Sequence, residues 1–353
     1  MGEILGVGIT HYPSLLGPPD RYANLLRRCL ESPLIPDEMK QPSSWPAPMQ
    51  DEWNNELERA TVYQERLSTA FKKVRKAIDD FKPDAVVIFG DDQYENFRED
   101  IIPPFNVFAY DEFTSQPFHQ YGLEENNAWG LPGDTTFTYP GNRDLAKHIA
   151  SELIKRDFPI PYSYKDLHAE RGIGHAFANS FVFLDWEQRG FPYPIVPIQV
   201  NCYGKDVIRS RGAISHLNPK TRELPFADED APPGPTARSC FRLGQMVRQI
   251  VEERPERIVI MASSSWSHAF LVPKNHWIWP DLPADKRHVD QLRAGEHAQW
   301  ADITNDEIDD GGLQEFKNWI CLAGAMEDRQ ADVVDYVETH IFASNKCFAL
   351  FPG

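Results

Sequence analysis

The sequence predicts an α/β fold: an α/β/α sandwich whose central sheet is mostly parallel or mixed. Two observations lead to this prediction. Short apolar runs rich in β-branched residues alternate along the chain with longer runs that have helical spacing. The apolar runs are nearly continuous, which is typical of strands covered by helices on both faces of a sheet. No internal repeat or low-complexity tract divides the chain, so we expect one domain over residues 1–353.

Several short runs are predicted to be strands: residues 4–9, 84–90, 105–109, 193–200 and 257–262. The runs at 84–90 and 257–262 are apolar and β-branched throughout, as in buried parallel strands. The prolines of 193–200 indicate an edge strand, because proline cannot donate a hydrogen bond to a neighbouring strand.

The predicted helices are residues 52–81, 142–155, 236–253 and 313–326. The first of them ends at Lys82-Pro83, a typical helix stop. Two stretches are predicted to be decorated loops. Residues 12–50 are rich in proline, with a short amphipathic piece near residues 21–30, and residues 217–236 are rich in proline, acidic residues and glycine.

The composition is that of a folded protein. Of the 353 residues, 41% are hydrophobic and 12% aromatic, enough for a substantial core. No run approaches the roughly 20 consecutive apolar residues that a membrane helix needs, so we expect no membrane association. The N-terminus lacks a basic segment, which favours a first strand over a signal peptide. The formal charge of −17 makes nucleic acid and anionic membranes poor partners.

The cysteines indicate a reducing compartment. There are five, an odd number, and they stand far apart with no CxxC pair. This pattern disfavours both a disulfide framework and a zinc ribbon. Most of the cysteines lie in apolar or helical contexts, where a buried thiol is the ordinary expectation. We therefore expect a cytoplasmic protein.

Polar side chains follow three of the predicted strands. Thr10-His11 comes after the first, Asp91 to Glu95 after the second, and Ser263 to His268 after the last. Ligands of open α/β sheets bind beyond the carboxyl ends of the strands, so these segments predict a small-molecule site. A phosphate-binding loop, a dinucleotide fingerprint, a GxSxG nucleophile elbow and an HExxH motif are all absent from the sequence. A serine hydrolase using Ser265 or Ser267 stays conceivable, although the sequence does not indicate its base.

Five segments carry a family resemblance. They are Gly6-Val-Gly-Ile-Thr-His11-Tyr-Pro13, Val86-Val-Ile-Phe-Gly-Asp-Asp-Gln-Tyr-Glu-Asn-Phe97, Gly172-Ile-Gly-His175-Ala-Phe, Ser263-Ser-Ser-Trp-Ser-His268 and Glu315-Phe-Lys-Asn-Trp-Ile-Cys-Leu-Ala-Gly-Ala325. In order and spacing they resemble the class III extradiol ring-cleavage dioxygenases, the protocatechuate 4,5-dioxygenase β-subunit family. The resemblance spans almost the whole chain and implies the α/β sandwich of that family.

The resemblance implies a metal site. In this family two histidines and one glutamate hold a non-haem Fe(II), and the open positions take a catecholate and O₂. Imidazole and carboxylate ligands suit Fe(II). Carried over by position, His11 and Glu315 would be metal ligands. The alternatives are structural roles: His11 would be a strand-end histidine hydrogen-bonded to backbone, and Glu315 a solvated carboxylate at a helix start.

The second metal histidine of the family is missing here. The family's Asp-His falls on Asp92-Gln93, and no histidine lies between His11 and His119. Gln93 would then coordinate through its amide oxygen, or Asp92 or Glu95 would supply a second carboxylate. Such an oxygen-rich site would also suit Mn(II) or Mg(II). The remaining possibility is that no metal binds.

Two further histidines match the family's histidines that are not ligands. His268 would remove a proton from a substrate hydroxyl and later return it, and His175 would hydrogen-bond substrate or oxygen. Both would be ordinary as core histidines. Tyr94, Trp266 and Phe270 would wall an aromatic substrate, and His119 would reach the pocket from a polar loop. Core packing for the aromatic residues and a surface role for His119 are the competing interpretations.

The resemblance therefore predicts a ring-opening dioxygenase for a catechol-like or related hydroxylated aromatic acid. Its cofactor would be Fe(II), with Mn(II), another divalent metal or none as alternatives. Its partners would be a small aromatic substrate and O₂, and we expect a homo-oligomer. Two other functions stay open: non-oxidative chemistry in the same pocket, such as hydrolysis, lyase action or decarboxylation, and a non-catalytic binding protein on this fold.

Overall fold

The computed structural model describes residues 2–168, 170, 172–210, 217 and 231–353, with no side-chain detail for 208–210. Of the loop predicted at residues 217–236, residues 218–230 lie outside the described part. The strands are β1 (Ile4–Ile9), β2 (Ala85–Asp91), β3 (Phe105–Phe108), β4 (Glu112–Ser115), β5 (Phe137–Pro140), β6 (Tyr162–Ser163), β7 (Ile195–Val200), β8 (Ile258–Ser263), β9 (Asp332–Val337) and β10 (Lys346–Phe351).

Helices separate most of these strands. They are α1 (Asn24–Leu30), α2 (Ala47–Asn54), α3 (Glu56–Phe81), α4 (Pro117–Gln120), α5 (Arg143–Lys155), α6 (His175–Leu184), α7 (Lys205–Ser210), α8 (Ala237–Glu252), α9 (Leu282–Ala294), α10 (Asn305–Gly311) and α11 (Phe316–Ala325). The helix predicted at 52–81 is divided between α2 and α3. No helix in the described ranges is long and apolar enough to cross a bilayer.

The described strands form one large mixed sheet and one small hairpin. The large sheet has eight strands in the order β6-β3-β7-β2-β8-β1-β10-β9, and β4 pairs with β5. The four central strands, β7, β2, β8 and β1, are parallel to one another. Antiparallel neighbours flank them, β3 on one side and β10 on the other. The prediction of a mixed α/β fold with a large, mostly parallel sheet is confirmed.

The position predicted for the strand at 193–200 is wrong. This strand, β7, lies inside the sheet between β3 and β2 instead of at an edge. Pro194 precedes the strand, and Pro197 is in register with Ile88 of β2. On the other side, β7 pairs with β3 through residues 198–200, so Pro197 falls one residue outside that ladder. An interior strand can thus accommodate this proline.

Glycines in the central strands let helices approach both faces of the sheet. A Cβ atom on Gly8 would lie 2.1 Å from the ring of Trp319 in α11, and one on Gly90 would lie 2.7 Å from Phe177 in α6. Gly8 is level with Phe89 across β8, so Gly8 and Gly90 face opposite sides. Both helices therefore pack directly on strand backbone, and each presents its N-terminal end near the carboxyl ends of the strands.

The segment at residues 12–50, predicted to be a decorated loop, is largely helical. It contains α1, the start of α2 and four short 3-10 helices: Pro13–Leu16, Pro19–Arg21, Asp37–Lys40 and Pro42–Ser44. Three of the 3-10 helices begin with proline, whose fixed φ suits the first helical position. The segment starts where β1 ends, so its first half borders the carboxyl edge of the sheet.

Candidate active site

A cavity of about 500 Å³ lies at the carboxyl ends of the central strands. Its floor is formed by side chains that follow β1, β2 and β8 or begin α6 and α11: His11, Gln93, Glu95, His175, His268 and Glu315. The sequence analysis proposed metal ligands and proton-transfer histidines in several separate segments of the chain. One cavity contains four of them: His11, His175, His268 and Glu315.

His11 is oriented by backbone. Its Nδ1 lies 3.1 Å from the carbonyl oxygen of Ser263, an acceptor, so this nitrogen carries the proton. Its Nε2 then points into the cavity, 3.3 Å from Oε2 of Glu315 and 3.6 Å from Oδ1 of Asp91. A ring nitrogen that is fixed by a carbonyl while the other faces carboxylates is the usual arrangement of a metal-binding histidine.

Glu315 has two oxygens in different surroundings. Oε1 accepts hydrogen bonds from the Tyr203 hydroxyl at 2.6 Å and from the Gln93 amide at 3.0 Å. Oε2 is buried and has no hydrogen-bond partner among the described residues, yet it lies 3.3 Å from His11 Nε2 and 3.4 Å from His268 Nε2. Burial alone would raise the pKa of Glu315, but His268 and His11 hold that pKa well below its usual range. The group is a carboxylate with a free lone-pair face.

Asp91 supplies a second buried carboxylate. One oxygen accepts from the Gln93 amide at 3.0 Å and the other from the Asn318 amide at 3.3 Å. Burial, together with the negative charge of Glu315, raises the pKa of Asp91 to about 6. The amide of Gln93 thus joins Asp91 to Glu315, at the position where the resembling family has an imidazole.

His175 is paired with Glu95. Its Nδ1 lies 2.9 Å from the Glu95 carboxylate, which also accepts the backbone N–H of His175. Burial opposes the charged form, but the attraction of Glu95 outweighs it and raises the pKa of His175 to about 10. His175 is therefore an imidazolium at neutral pH, and its other nitrogen lies 3.5 Å from Gln93.

The pKa of His268 is shifted in the opposite direction from that of His175. Burial lowers its pKa, so the ring is neutral near pH 7. Its Nδ1 has no partner in the described part of the chain, and its ring meets Phe270 edge-on at 5.3 Å. A neutral imidazole can accept a proton, and the His268 ring lines the cavity with Nε2 beside Glu315 at its floor.

Asp92 is not part of this cluster. Its carboxylate accepts the backbone N–H groups of Glu95, Asn96 and Phe97 at 3.2, 2.7 and 3.3 Å. Burial and the neighbouring Glu95 raise the pKa of Asp92 to about 7. The side chain closes the turn after β2 and is turned away from Glu315, so the neighbouring Asp91 takes the place that the sequence offered to Asp92.

Of the four residues proposed as substrate contacts, Tyr94, Trp266 and His119 do not line the cavity. The Tyr94 hydroxyl donates to Glu99. Trp266 is fully buried among other aromatic rings. His119 is exposed and pairs with Glu124 at 2.9 Å. The aromatic and apolar walls come instead from side chains that the sequence did not single out for this role, such as Tyr12, Tyr121 and Leu123, and from Phe270, which it did mention.

The donor set fits a divalent cation. Atoms of His11, Asp91 and His175 lie within 4.8 Å of one another, a spacing at which one ion can be shared. Two ligands of one ion bound at about 2.1 Å lie roughly 3 Å apart, close to the 3.3 Å between His11 Nε2 and Glu315 Oε2. The unpartnered oxygen of Glu315 is the sign of a missing positive partner. His175 is the poorer ligand because Glu95 keeps it protonated.

Curated relatives are distant and longer than this chain. A 2,3-dihydroxyphenylpropionate/2,3-dihydroxicinnamic acid 1,2-dioxygenase 2 from Pseudomonas putida is 24% identical over 211 residues, 60% of this chain and 51% of that protein. The similarly named enzyme of Comamonas testosteroni is 23% identical over 247 residues, 70% of this chain and 61% of that protein. The chain spans about half the length of most of these relatives.

A solved structure of an uncharacterised Escherichia coli K12 protein overlaps at a TM-score of 0.47 with 11% identity, covering 81% of this chain and 92% of that one. That likeness is too distant to bear on the site. The family model described as the catalytic LigB subunit of aromatic ring-opening dioxygenase matches residues 54–209 and 214–349, so it includes Gln93, His175, His268 and Glu315, while His11 precedes it. The chain belongs to this LigB family, the class III extradiol dioxygenases.

Proposed function

We propose that the protein opens the ring of a catechol-like or related hydroxylated aromatic acid with O₂, at a mononuclear non-haem metal. The observation that carries this proposal is the unpartnered, buried Oε2 of Glu315, which lies between His11 and His268 at the floor of the cavity. The LigB family generally uses a non-haem metal, and membership supports the reaction class.

His11, Glu315 and Asp91 would hold the metal, and Gln93 would join them if its amide turned its oxygen inward. In the structure the amide nitrogen donates to both carboxylates, so coordination requires the amide to turn, with the cation screening its oxygen from Asp91 and Glu315. This set suits Fe(II) and, because it is rich in oxygen, also Mn(II). When bound, the metal would supply the electron path between the aromatic diol and O₂.

The protein side chains would manage protons and orientation. Neutral His268 would take a proton from a substrate hydroxyl and return it to the product. The imidazolium of His175, held by Glu95 through Nδ1, would donate a hydrogen bond to substrate or oxygen from Nε2, the nitrogen beside Gln93. Tyr121 and Phe270 would flank the aromatic ring and exclude water from the floor.

The relatives support a diol substrate. Their names describe action on 2,3-dihydroxyphenylpropionate and 2,3-dihydroxicinnamic acid, aromatic acids with adjacent hydroxyls. We infer the same general class of substrate, an aromatic acid with adjacent hydroxyls, for this chain.

One observation favours a second function, non-oxidative chemistry in the same pocket. Gln93 donates to both Asp91 and Glu315, so the carboxylates are bonded to an amide where the family's second metal histidine would stand. A hydrolase, lyase or decarboxylase acting on an aromatic or carbonyl substrate would use His268 as its base and need no O₂.

The broader expectations belong to the same proposal: a three-layer α/β/α arrangement of the class III extradiol type, a single domain, a homo-oligomer and a cytoplasmic location. All five cysteines are free and buried, as expected in a reducing compartment.

The test is an anaerobic reconstitution with Fe(II), Mn(II) or Mg(II), followed by a panel of catechols with and without O₂. We expect O₂ uptake matched to ring-opened product with Fe(II) or Mn(II). Glu315→Gln should abolish turnover, and His268→Ala should lower it by roughly 10²–10⁴-fold. His119→Ala is the matched control, because His119 is exposed and outside the cavity, and it should keep full activity. Product formed without O₂ would favour the second function, and no turnover with any metal would refute the first.

A further inference from the structure

One wall of the cavity is a helical face that carries two arginines. Arg21, Asn24, Leu25 and Arg28 all line the same cavity as the catalytic floor. They stand at spacings of three, four and seven residues, which places them on one side of the helical stretch formed by the 3-10 helix at Pro19–Arg21 and by α1. Both arginines are exposed, whereas His11 and Glu315 are buried. The cavity therefore runs from a cationic, exposed wall to a buried reactive floor.

These two guanidinium groups have no carboxylate partner in the described part of the chain. Arg27, on the same helix but outside the cavity, shows the contrast: it pairs with Glu56 and lies over the ring of Trp53 at 4.9 Å. In a chain of net charge −17, carboxylates are abundant, so two unpaired arginines facing a cavity are a specific feature. A guanidinium presents a planar fork of donors that matches a carboxylate in shape and charge.

We propose that Arg21 and Arg28 form a carboxylate-binding subsite for an acidic side chain of the substrate, at the end of the cavity opposite the reacting ring. The subsite rests on the proposed function for the position of the ring at the floor. It lies in residues that precede the match to the family model, which begins at residue 54. It belongs to the segment that follows β1 and sets the choice among hydroxylated aromatics.

The charge distribution supports this role. A net charge of −17 repels an anionic ligand at long range, so an acid needs a local cationic patch to enter. The volume of about 500 Å³ is within the range of cavities that enclose a drug-sized ligand, which leaves room for a ring and a side chain. Leu25 lies on the same helical face as the arginines, next to the apolar wall, and would contact the methylene groups between ring and acid.

The test separates acid recognition from turnover by using probes that cannot be ring-opened. Binding of 3-phenylpropionate and of its neutral amide, 3-phenylpropanamide, is measured by calorimetry on the metal-loaded full chain without O₂. We expect the wild type to bind the acid at least ten-fold more tightly than the amide. Arg21→Gln and Arg28→Gln should each weaken acid binding on the order of ten-fold and leave amide binding unchanged. Arg27→Gln is the matched control and should change neither.

Equal binding of acid and amide by the wild type, or no binding of the acid, would overturn the subsite. So would an equal loss of both probes in the arginine variants, since that indicates damage to the cavity rather than loss of a charge partner. The proposed function fails separately. If the acid preference and its dependence on both arginines hold while no catechol is opened, the subsite stands and the dioxygenase assignment falls.

Discussion

At the scale of single residues, the centre of the site is the amide of Gln93 between two buried carboxylates. It donates to Asp91 and to Glu315 at 3.0 Å each. Like charges so close together would repel in a buried site, and the amide dipole reduces that repulsion without adding a charge. The position thus joins two acids but provides, at best, a weak neutral oxygen ligand for a metal.

This leads to a prediction for Gln93→His. An imidazole nitrogen is a better match for Fe(II) than an amide oxygen, so the variant should retain more iron after dialysis than the wild type. Iron content by elemental analysis, measured beside turnover, checks this. Gln93→Asn is the control, because its shorter amide adds no nitrogen ligand and should not raise iron retention. A variant that loses activity and gains no iron would instead support a site built for non-oxidative chemistry.

The sequence pointed to side chains that lie within a few residues of strand ends, and two of them, His11 and His268, line the cavity. His11 and His268 stand after β1 and β8, where the fold class already predicts a site. The sequence could not decide whether Asp91 or Asp92 faces the cavity, because neighbouring residues at a strand end point to opposite faces of the sheet. Only the exact end of β2 decides that Asp91 faces α11. Tyr203 was missed, although it follows β7 at the same edge of the sheet.

At the scale of elements, α9 holds the loop that carries His268. Asp285 of this helix accepts the backbone N–H of Ser267 at 3.0 Å and the Asn345 amide at 2.7 Å. The same carboxyl group thus joins the segment after β8 to the segment before β10. It is fully buried, and burial raises the pKa of Asp285 to about 8. In the folded protein the group is protonated over much of the neutral range.

A pH dependence of stability follows for Asp285. Between about pH 4 and pH 8 the folded protein holds a proton on this group that the unfolded chain has released. The stability that comes with this proton is therefore complete at low pH and is lost as pH rises through 8. Asp285→Asn cannot titrate, so its free energy of unfolding should fall less steeply over this range than that of the wild type. Urea unfolding at a series of pH values gives the difference between the two proteins, and parallel profiles would contradict the prediction.

Elements were predictable where their pattern is strong. The amphipathic helices α5 and α8 lie within a residue of the predicted ranges, each preceded by a capping side chain, Asn142 and Thr236. Helix α6 was not predicted, because every residue in it is buried. Its sequence therefore lacks the alternation of polar and apolar faces that indicates a helix. The interior position of β7 was not predicted. Proline is excluded only from strand positions whose N–H must donate to a neighbouring strand, and the sequence does not indicate which N–H groups of β7 do so.

At the scale of the whole molecule, the site draws on two parts of the chain, the part that the family model matches and the N-terminal segment before it. The family model begins at residue 54, yet His11 and the arginine wall come from residues before it. The central parallel strands fix the floor, and the segment after β1 covers it with short helices. The N-terminal segment thus contributes His11 of the proposed metal site as well as the proposed subsite for the acid, and the family-matched part contributes the other residues of the floor.

The last prediction concerns the stability of the entire fold. A cation that binds His11, Asp91 and Glu315 binds only the folded chain, because these residues are far apart in sequence, so it should raise the melting temperature. At a concentration about 100 times the dissociation constant, the gain is roughly 2.7 kcal/mol, which corresponds to several degrees. Protons compete for Asp91, whose pKa is raised to about 6 by burial and by Glu315, so the gain should shrink as pH falls below that value.

Thermal unfolding of chelator-treated protein, with and without Fe(II) under anaerobic conditions, measures this gain at pH 7.5 and pH 5.5. Glu315→Gln should remove most of it, because the unpartnered oxygen is then no longer a carboxylate. His119→Ala should keep it in full, since that histidine is exposed and pairs with Glu124. A rise in melting temperature that survives Glu315→Gln would place the cation elsewhere in the protein, because the buried carboxylates at the floor hold the charge that a cation at this site would neutralise.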